Sequence, residues 1–350
     1  MPPTLPRQAL MIVRFRAVSL RVRPRSALVV ITLLLLTFAL AAISMTTGDF
    51  PLPVSEVVRT VLGFGDPATE FIVNRLRLPR VLIAVLVGAA LALSGAVLQS
   101  LTRNPLGSPD FIGFAHGSAT GALIVILLFQ GSMAEISLGA LVGGVLTAAL
   151  AYLLAFRRGV QGFRLVLIGI GLSAMLLAAN NYLVTRASLT GAIAAQTWIT
   201  GTLNGRTWNQ VVPLLIALAV LVPPTVYFGQ KLALLELGDD KARALGVPVE
   251  ITRLALLAIS VTLAAVATAA AGPIAFVALT APQLARKLTA APGPGLTAAA
   301  ATGALLLVAA DLAVQRLFSP AALPVGILTS AIGGVYLAWL LVREWRRNRL

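Results

Sequence analysis

Apolar residues in this chain run in long unbroken blocks, without the one-in-two alternation of half-buried strands or the three-in-seven stripe of surface helices. The blocks cover 26–45, 80–101, 113–129, 136–156, 165–185, 211–228, 254–271, 274–285, 297–314 and 325–342. A hydrocarbon core of about 30 Å takes roughly 20 apolar residues of helix, so the pattern predicts an all-α polytopic membrane protein with about ten transmembrane helices. The block 274–285 is the shortest; Gly272-Pro273 precedes it and Pro282 interrupts it. A polar, proline-punctuated hinge from Thr102 to Asp110 separates the second and third blocks. Gly113, Gly117 and Gly121 recur at four-residue spacing on the third, and Gly139 with Gly143 on the fourth. Such faces let helix backbones approach closely in lipid.

Composition adds the solvent. Of 350 residues 58% are hydrophobic and 11% charged, against about 25% charged in a soluble domain. The net charge of +15 would suggest nucleic acid, but its placement does not. Arg7, Arg14, Arg16, Arg21, Arg23 and Arg25 precede the first block; Arg343, Arg346, Arg347 and Arg349 follow the last. Threading ten spans through the bilayer puts twenty of the 27 basic residues on the side that holds both termini, the positive-inside pattern. The expected partner is the lipid bilayer, with both termini cytoplasmic and no nucleic acid. The organisation is a basic cytoplasmic tail over 1–25, one transmembrane domain over 26–342 with its longest cytoplasmic loop at about 229–250, and a basic tail over 343–350. The first block reads as a span, not as a cleaved leader.

Chemistry is scarce. Cysteine is absent and His116 is the only histidine, which excludes disulfides and thiolate sites and leaves no metal or catalytic centre to assemble. No phosphate-binding G-x-x-x-x-G-K-[ST] loop occurs, so the chain is not itself an ATPase. Polar residues within the blocks are few: Ser94, Gln99, Asn180, Asn181 and Asp311. An ion-coupled secondary transporter expects ionisable groups near the midplane, and Asp311 alone offers one. An intramembrane enzyme would need a nucleophile with its base, or a metal site.

Several ordered segments carry a resemblance. Arg77-Leu-Pro-Arg80, Gly88 to Gly95 with Gln99, and Asn104-Pro-Leu-Gly-Ser-Pro-Asp110 are similar to permeases of ATP-driven importers for iron–siderophores and cobalamin. So are Trp198 to Trp208, Leu237 to Gly246, Ala271 to Phe276 and Leu323-Pro-Val-Gly326. The resemblance spans about 54–341. Through Asn104–Asp110, Gly238-Asp239-Asp240 and Gly333-Gly-Val-Tyr336 it looks closest to ferric-enterobactin-type permeases.

The resemblance implies a type II ABC importer permease fold. It implies a pair of cytoplasmic ATPases that use ATP and magnesium, a second permease subunit (an unlike one favoured, an identical one open) and an extracytoplasmic siderophore-binding protein. No cofactor is expected on this chain. A ferric catecholate is the expected cargo, with cobalamin or haem as alternatives.

Site residues follow by position. The stretch from Leu232 to Glu250 alternates apolar and charged residues, so a short amphipathic helix ended by Gly246 and Pro248 is expected. The resemblance makes Glu236, Leu237, Gly238, Asp239, Asp240, Ala242, Arg243, Leu245 and Gly246 the element that couples to the ATPase; a solvated loop is the plain alternative. Arg77 and Arg80 either anchor the membrane interface by snorkelling or, as in the family, dock the binding protein. Arg316 falls one residue beyond the third family arginine, where Gln315 stands. Asn104, Pro105 and Leu106 are either a structural turn or, as the resemblance implies, a cytoplasmic gate, to which 157–162 would add. Gln99 either lines the pathway or bonds helix to helix. Asp311 and His116 read as structural, and Gln283 stands where the family often has histidine.

Overall fold

The computed structural model describes residues 11–15, 18–48, 50–109, 113–155, 162–318 and 323–347. A short hairpin of β1 (Met11–Phe15) and antiparallel β2 (Val18–Val22) opens the chain, where the sequence predicted only a basic tail. Among the described residues the remaining regular elements are helical. The spans are α1 (Pro24–Thr46), α4 (Leu78–Thr102), α5 (Phe114–Ile124, continued by a π-helical turn Val125–Phe129), α6 (Met133–Ala155) and α7 (Gly162–Thr185). They continue with α9 (Trp208–Leu235), α11 (Val249–Ala271), α12 (Val277–Thr289), α13 (Leu296–Leu317) and α14 (Val325–Arg347).

Seven of these are long and apolar enough to cross a membrane alone: α1, α4, α6, α7, α9, α11 and α13. The helices α5, α12 and α14 complete the predicted ten. Between spans lie four short helices: α2 (Val54–Val61), α3 (Pro67–Glu70), α8 (Leu189–Ile199) and α10 (Asp239–Ala244). The first three share one side of the bundle, the α2 side; α10 lies on the other.

Large apolar side chains face outward along the spans: Leu28, Leu35 and Phe38 on α1, Leu146 and Leu153 on α6, Val220 on α9. A soluble fold would bury them; here lipid is the expected solvent. The interior holds α4, flanked by α11 and α13. Its core is largely small residues, so backbones touch. A Cβ added at Gly88 would stand 2.3 Å from the Gly303 carbonyl oxygen, and one at Gly303 2.2 Å from that of Gly88. The Ser94 hydroxyl donates to the Ser260 carbonyl at 2.7 Å and Ser260 returns the bond at 2.9 Å. The four-residue glycine spacing has the predicted use: Gly117 and Gly121 press on Gly139, Gly143 and Thr147. Gly113 instead meets Gly169 and Ser173 of α7.

At Gly95 an added Cβ would lie 1.7 Å from the Ala278 carbonyl oxygen, and backbone cannot yield as a side chain can. Gly95→Ala is therefore expected to cost about 1–3 kcal/mol through overpacking. Loss of the monodisperse fraction after detergent extraction checks this, with Gly334→Ala, which meets nothing within 4 Å, as the neutral control.

On the α2 side three of the sequence motifs meet. Thr202 N donates to the Ala271 carbonyl at 2.8 Å, and Gly326 N to that of Gly201 at 3.1 Å. Gly201 (φ +75°) and Gly272 (φ +77°) lie back to back, each with backbone where a Cβ would go. This knot ends α11 and forces the break before α12, which leaves α12 at 13 residues.

Candidate functional site

The expected amphipathic helix is present but shorter than the apolar pattern suggested. Leu234 and Leu235 still belong to α9, a 28-residue helix that runs past the predicted end of its span. Gly238 takes φ +112° to turn the chain, and α10 begins at Asp239. Asp239 and Asp240 in its first turn and Lys241 and Arg243 in its last complement the helix dipole. Gly246 (φ +80°) ends it, and Val247 N closes on the Ala242 carbonyl at 3.0 Å. Ala242 is fully buried among Leu232, Leu235, Val247, Val249, Leu256 and Val97, so α10 is seated on the bundle. Leu237 and Leu245 are 54% and 60% exposed. Glu236, at the end of α9, is half-buried.

Asp239 is the centre of this side. Oδ1 accepts from Arg103 Nη2, and Oδ2 from Arg253 Nη2 at 2.7 Å. Arg103 also donates Nε to the Leu235 carbonyl at 3.1 Å. It is the second residue of the hinge, held at φ +50° where it caps the end of α4. One carboxylate thus clasps the hinge, the start of α10 and the first turns of α11. Burial alone would raise the Asp239 pKa, but the hydrogen bonds and charges of Arg253 and Arg103 outweigh it and hold the group below its ordinary value of 3.8. Asp240 is fully exposed and, among the described residues, pairs only with Arg243, at 3.2 Å, one turn away. Arg243 and Arg253 also approach Glu250 at 3.7 and 3.6 Å, surface pairs of little energetic weight.

The hinge itself is a built turn. Asn104 Oδ1 accepts from Leu106 N at 2.9 Å and its carbonyl from Gly107 N at 2.9 Å, which is the local use expected of an asparagine that opens a turn. The Pro105 carbonyl accepts from Gln283 Nε2 at 2.7 Å, and Gln283 Oε1 accepts from the Tyr336 hydroxyl at 3.3 Å. Lys287 donates to that hydroxyl at 3.2 Å and sits 4.7 Å from the Trp339 ring centre. The turn is therefore fastened to α12 and α14. Asp110 and residues 157–161 lie outside the described residues.

Gln99 does not line an open path. It is 2% exposed, donating to the Leu279 carbonyl at 2.9 Å and accepting from Arg286. Both ends of its amide tie α4 to α12.

On the α2 side the predicted docking arginines face inward. Arg80 forms a two-pronged pair with Asp311, Nε to Oδ2 at 2.9 Å and Nη2 to Oδ1 at 2.8 Å; Gln315 adds a bond to Oδ2 at 2.7 Å. Arg77 donates to the Met45 carbonyl at 2.7 Å and to that of Phe50, pinning the α1–α2 link. Arg316 is exposed, as are Arg59 and Arg75. Arg206 is buried, donating to the Thr202 carbonyl at 3.2 Å, and burial lowers its pKa to about 10; it remains a cation inside the knot.

Sequence reasoning counted Arg103 and Arg253 only as inside charges. A readable signal existed: an acid opening a short helix, with a lone arginine at the end of one neighbouring span and the start of another.

The model of the FecCD transport family matches residues 33–343. The chain belongs to the FecCD transport family. Among curated relatives of this permease, the ferric enterobactin transport system permease protein FepG of Escherichia coli (strain K12) is 47% identical over 311 residues, covering 87% of this chain and 92% of that one. The achromobactin transport system permease protein CbrC of Dickeya dadantii (strain 3937) is 38% identical, covering 89% and 90%. A solved inward-facing structure of a metal-chelate type ABC transporter superposes with a TM-score of 0.78 at 30% identity, covering 91% of this chain and 99% of that one. This FecCD member is thus a multi-pass transport subunit with the type II ABC importer permease fold, and not an enzyme.

Proposed function

We propose that the chain is the membrane-spanning permease of an importer that carries a ferric siderophore of the catecholate class into the cytoplasm. The cargo assignment rests on the 47% identity to the ferric enterobactin permease. The mechanism rests on one observation, the Asp239 clasp. A partner that moves α10 pulls the hinge through Arg103 and α11 through Arg253, so force applied from outside the membrane reaches Asn104, Pro105 and Leu106 without a flexible intermediate.

The α10 side is then cytoplasmic, together with both termini, in a bacterial inner membrane; the distribution of basic residues supports this. Leu237 and Leu245 are the apolar contacts offered to a groove on a cytoplasmic ATPase dimer, which binds and hydrolyses ATP with its magnesium ion; this chain binds no cofactor. An unlike second permease completes the pathway. An extracytoplasmic binding protein delivers the cargo to the α2 side. Arg316 and Arg75 supply its docking charge there, since Arg77 and Arg80 hold the fold; charge at such a rim sets encounter and register.

Proteoliposomes holding this chain, the second permease and the ATPase test the reading. Radiolabelled ferric enterobactin, presented on its binding protein, is expected to accumulate only with ATP and to be indifferent to ionophores. Accumulation by the permease alone, or collapse with an ionophore, would refute it.

A further inference from the structure

Behind the hinge lies a cavity of about 430 Å³, open on one side, within the ~300–1,000 Å³ range of small-molecule sites. Its wall is assembled from four elements: Ser108 of the hinge, His116 on α5, Ile170 and Ser173 on α7, and Phe276 and Leu279 at the start of α12. We propose that His116 is a cargo-contacting residue, its imidazole donating a hydrogen bond to an oxygen of an anionic ferric chelate as the chelate passes the hinge. The inference rests on the importer reading and deepens it.

Three observations carry it. First, the imidazole is half-buried at membrane depth, and among the described residues neither ring nitrogen has a hydrogen-bond partner. The residue's carbonyl, by contrast, is fully engaged, accepting from Thr120 Oγ1 at 2.9 Å and Asn180 Nδ2 at 3.2 Å. The Asn180 bond ties α7 to α5 and the Thr120 bond lies within α5, and neither uses the ring. Ionisable groups within a membrane-spanning helix mark a pathway by default.

Second, Phe276 on the same wall has φ +70°, a left-handed conformation that non-glycine residues adopt at a cost of about 1–3 kcal/mol and that clusters at ligand clamps. It is held in place by α14: a Cβ at Gly333 would stand 2.2 Å from the Phe276 Cγ. Third, the lining divides by chemistry. Donors on Ser173 and His116 face apolar Ile170, Leu279 and the Phe276 ring, which suits a ligand with an oxygen-rich metal centre and flat aromatic arms.

The complete importer in proteoliposomes provides the test, with ferric enterobactin and ferric citrate as probes. His116→Ala is expected to lower ferric enterobactin uptake about tenfold, the factor of one hydrogen bond to a charged acceptor. Ferric citrate uptake should fall less, because its smaller chelate reaches the wall less fully. His116→Gln, which keeps a donor, is expected to recover uptake to within about threefold of wild type. Resting ATPase should be unchanged in both. Wild-type uptake by His116→Ala would overturn the inference. So would an equal loss of both probes in both variants together with the resting ATPase, which would mark a packing residue. Absence of chelate uptake by the wild-type complex would instead overturn the importer reading beneath it.

Discussion

Asp239→Asn is expected to cut ATP-driven uptake at least tenfold while leaving insertion and the resting ATPase of the complex intact. The variant keeps the size of the side chain but removes the charge that holds Arg103 and Arg253. Hydrogen bonds to charged groups contribute about 1.5–3 kcal/mol each, and Asp239, one-third exposed, retains the lower part of that range. Asp240→Asn is the matched control. Its carboxylate is fully exposed and, among the described residues, pairs with Arg243 alone, a surface contact of little weight, so uptake should stay within about twofold of wild type. Uptake per ATP hydrolysed separates the two. Equal losses in both variants would show that the acidic pair acts through general charge and not through the clasp. The pKa direction adds a pH test. A carboxylate held below its ordinary value of 3.8 stabilises the clasp at every pH above that value. The contribution is lost only as the pH falls toward and through the lowered pKa, so the clasp should be insensitive to pH across the neutral range.

The second large effect is on stability. Asp311 is 4% exposed at the side chain and Arg80 22%, and the carboxylate accepts two bonds from Arg80 and one from Gln315. Removing one partner of a buried pair typically costs about 3–5 kcal/mol because the other charge is stranded. Asp311→Ala is expected to lose about 3 kcal/mol, the lower end, since Arg80 retains some solvent. The measurement is the half-life of the folded protein in detergent at fixed temperature, with Arg80→Met/Asp311→Leu as the double variant. If the penalty comes from the stranded charge, the double variant should outlast either single one. A single variant as stable as wild type would place Arg80 in solvent and restore it as a docking candidate.

The ten spans were legible because continuous apolar length is itself the physical requirement for crossing a bilayer. The glycine faces were legible too, since only small residues permit the contacts of Gly117 and Gly121 with Gly139 and Gly143. What escaped was everything decided by partners distant in sequence. Gln99 carries no mark that tells a pathway residue from one bonded to Leu279 and Arg286. Arg80 reads as a surface cation until α13 brings Asp311 to it across 231 residues. Helices α2, α3 and α8 lie below the length that an apolar scan detects, although Asp66 before Pro67 and Ser188 before Leu189 were readable caps. The clasp was half legible: Asp239 stood out, and Arg103 and Arg253, which it holds, did not.

The length of α9 has a mechanical consequence. Its 28 residues extend about 42 Å at 1.5 Å per residue, against a hydrocarbon thickness of about 30 Å. Even allowing for tilt, a stub of roughly 10 Å stands clear of the acyl chains. It lifts α10 through the headgroup layer like a bracket, so a soluble motor can seat against it without dehydrating phospholipid.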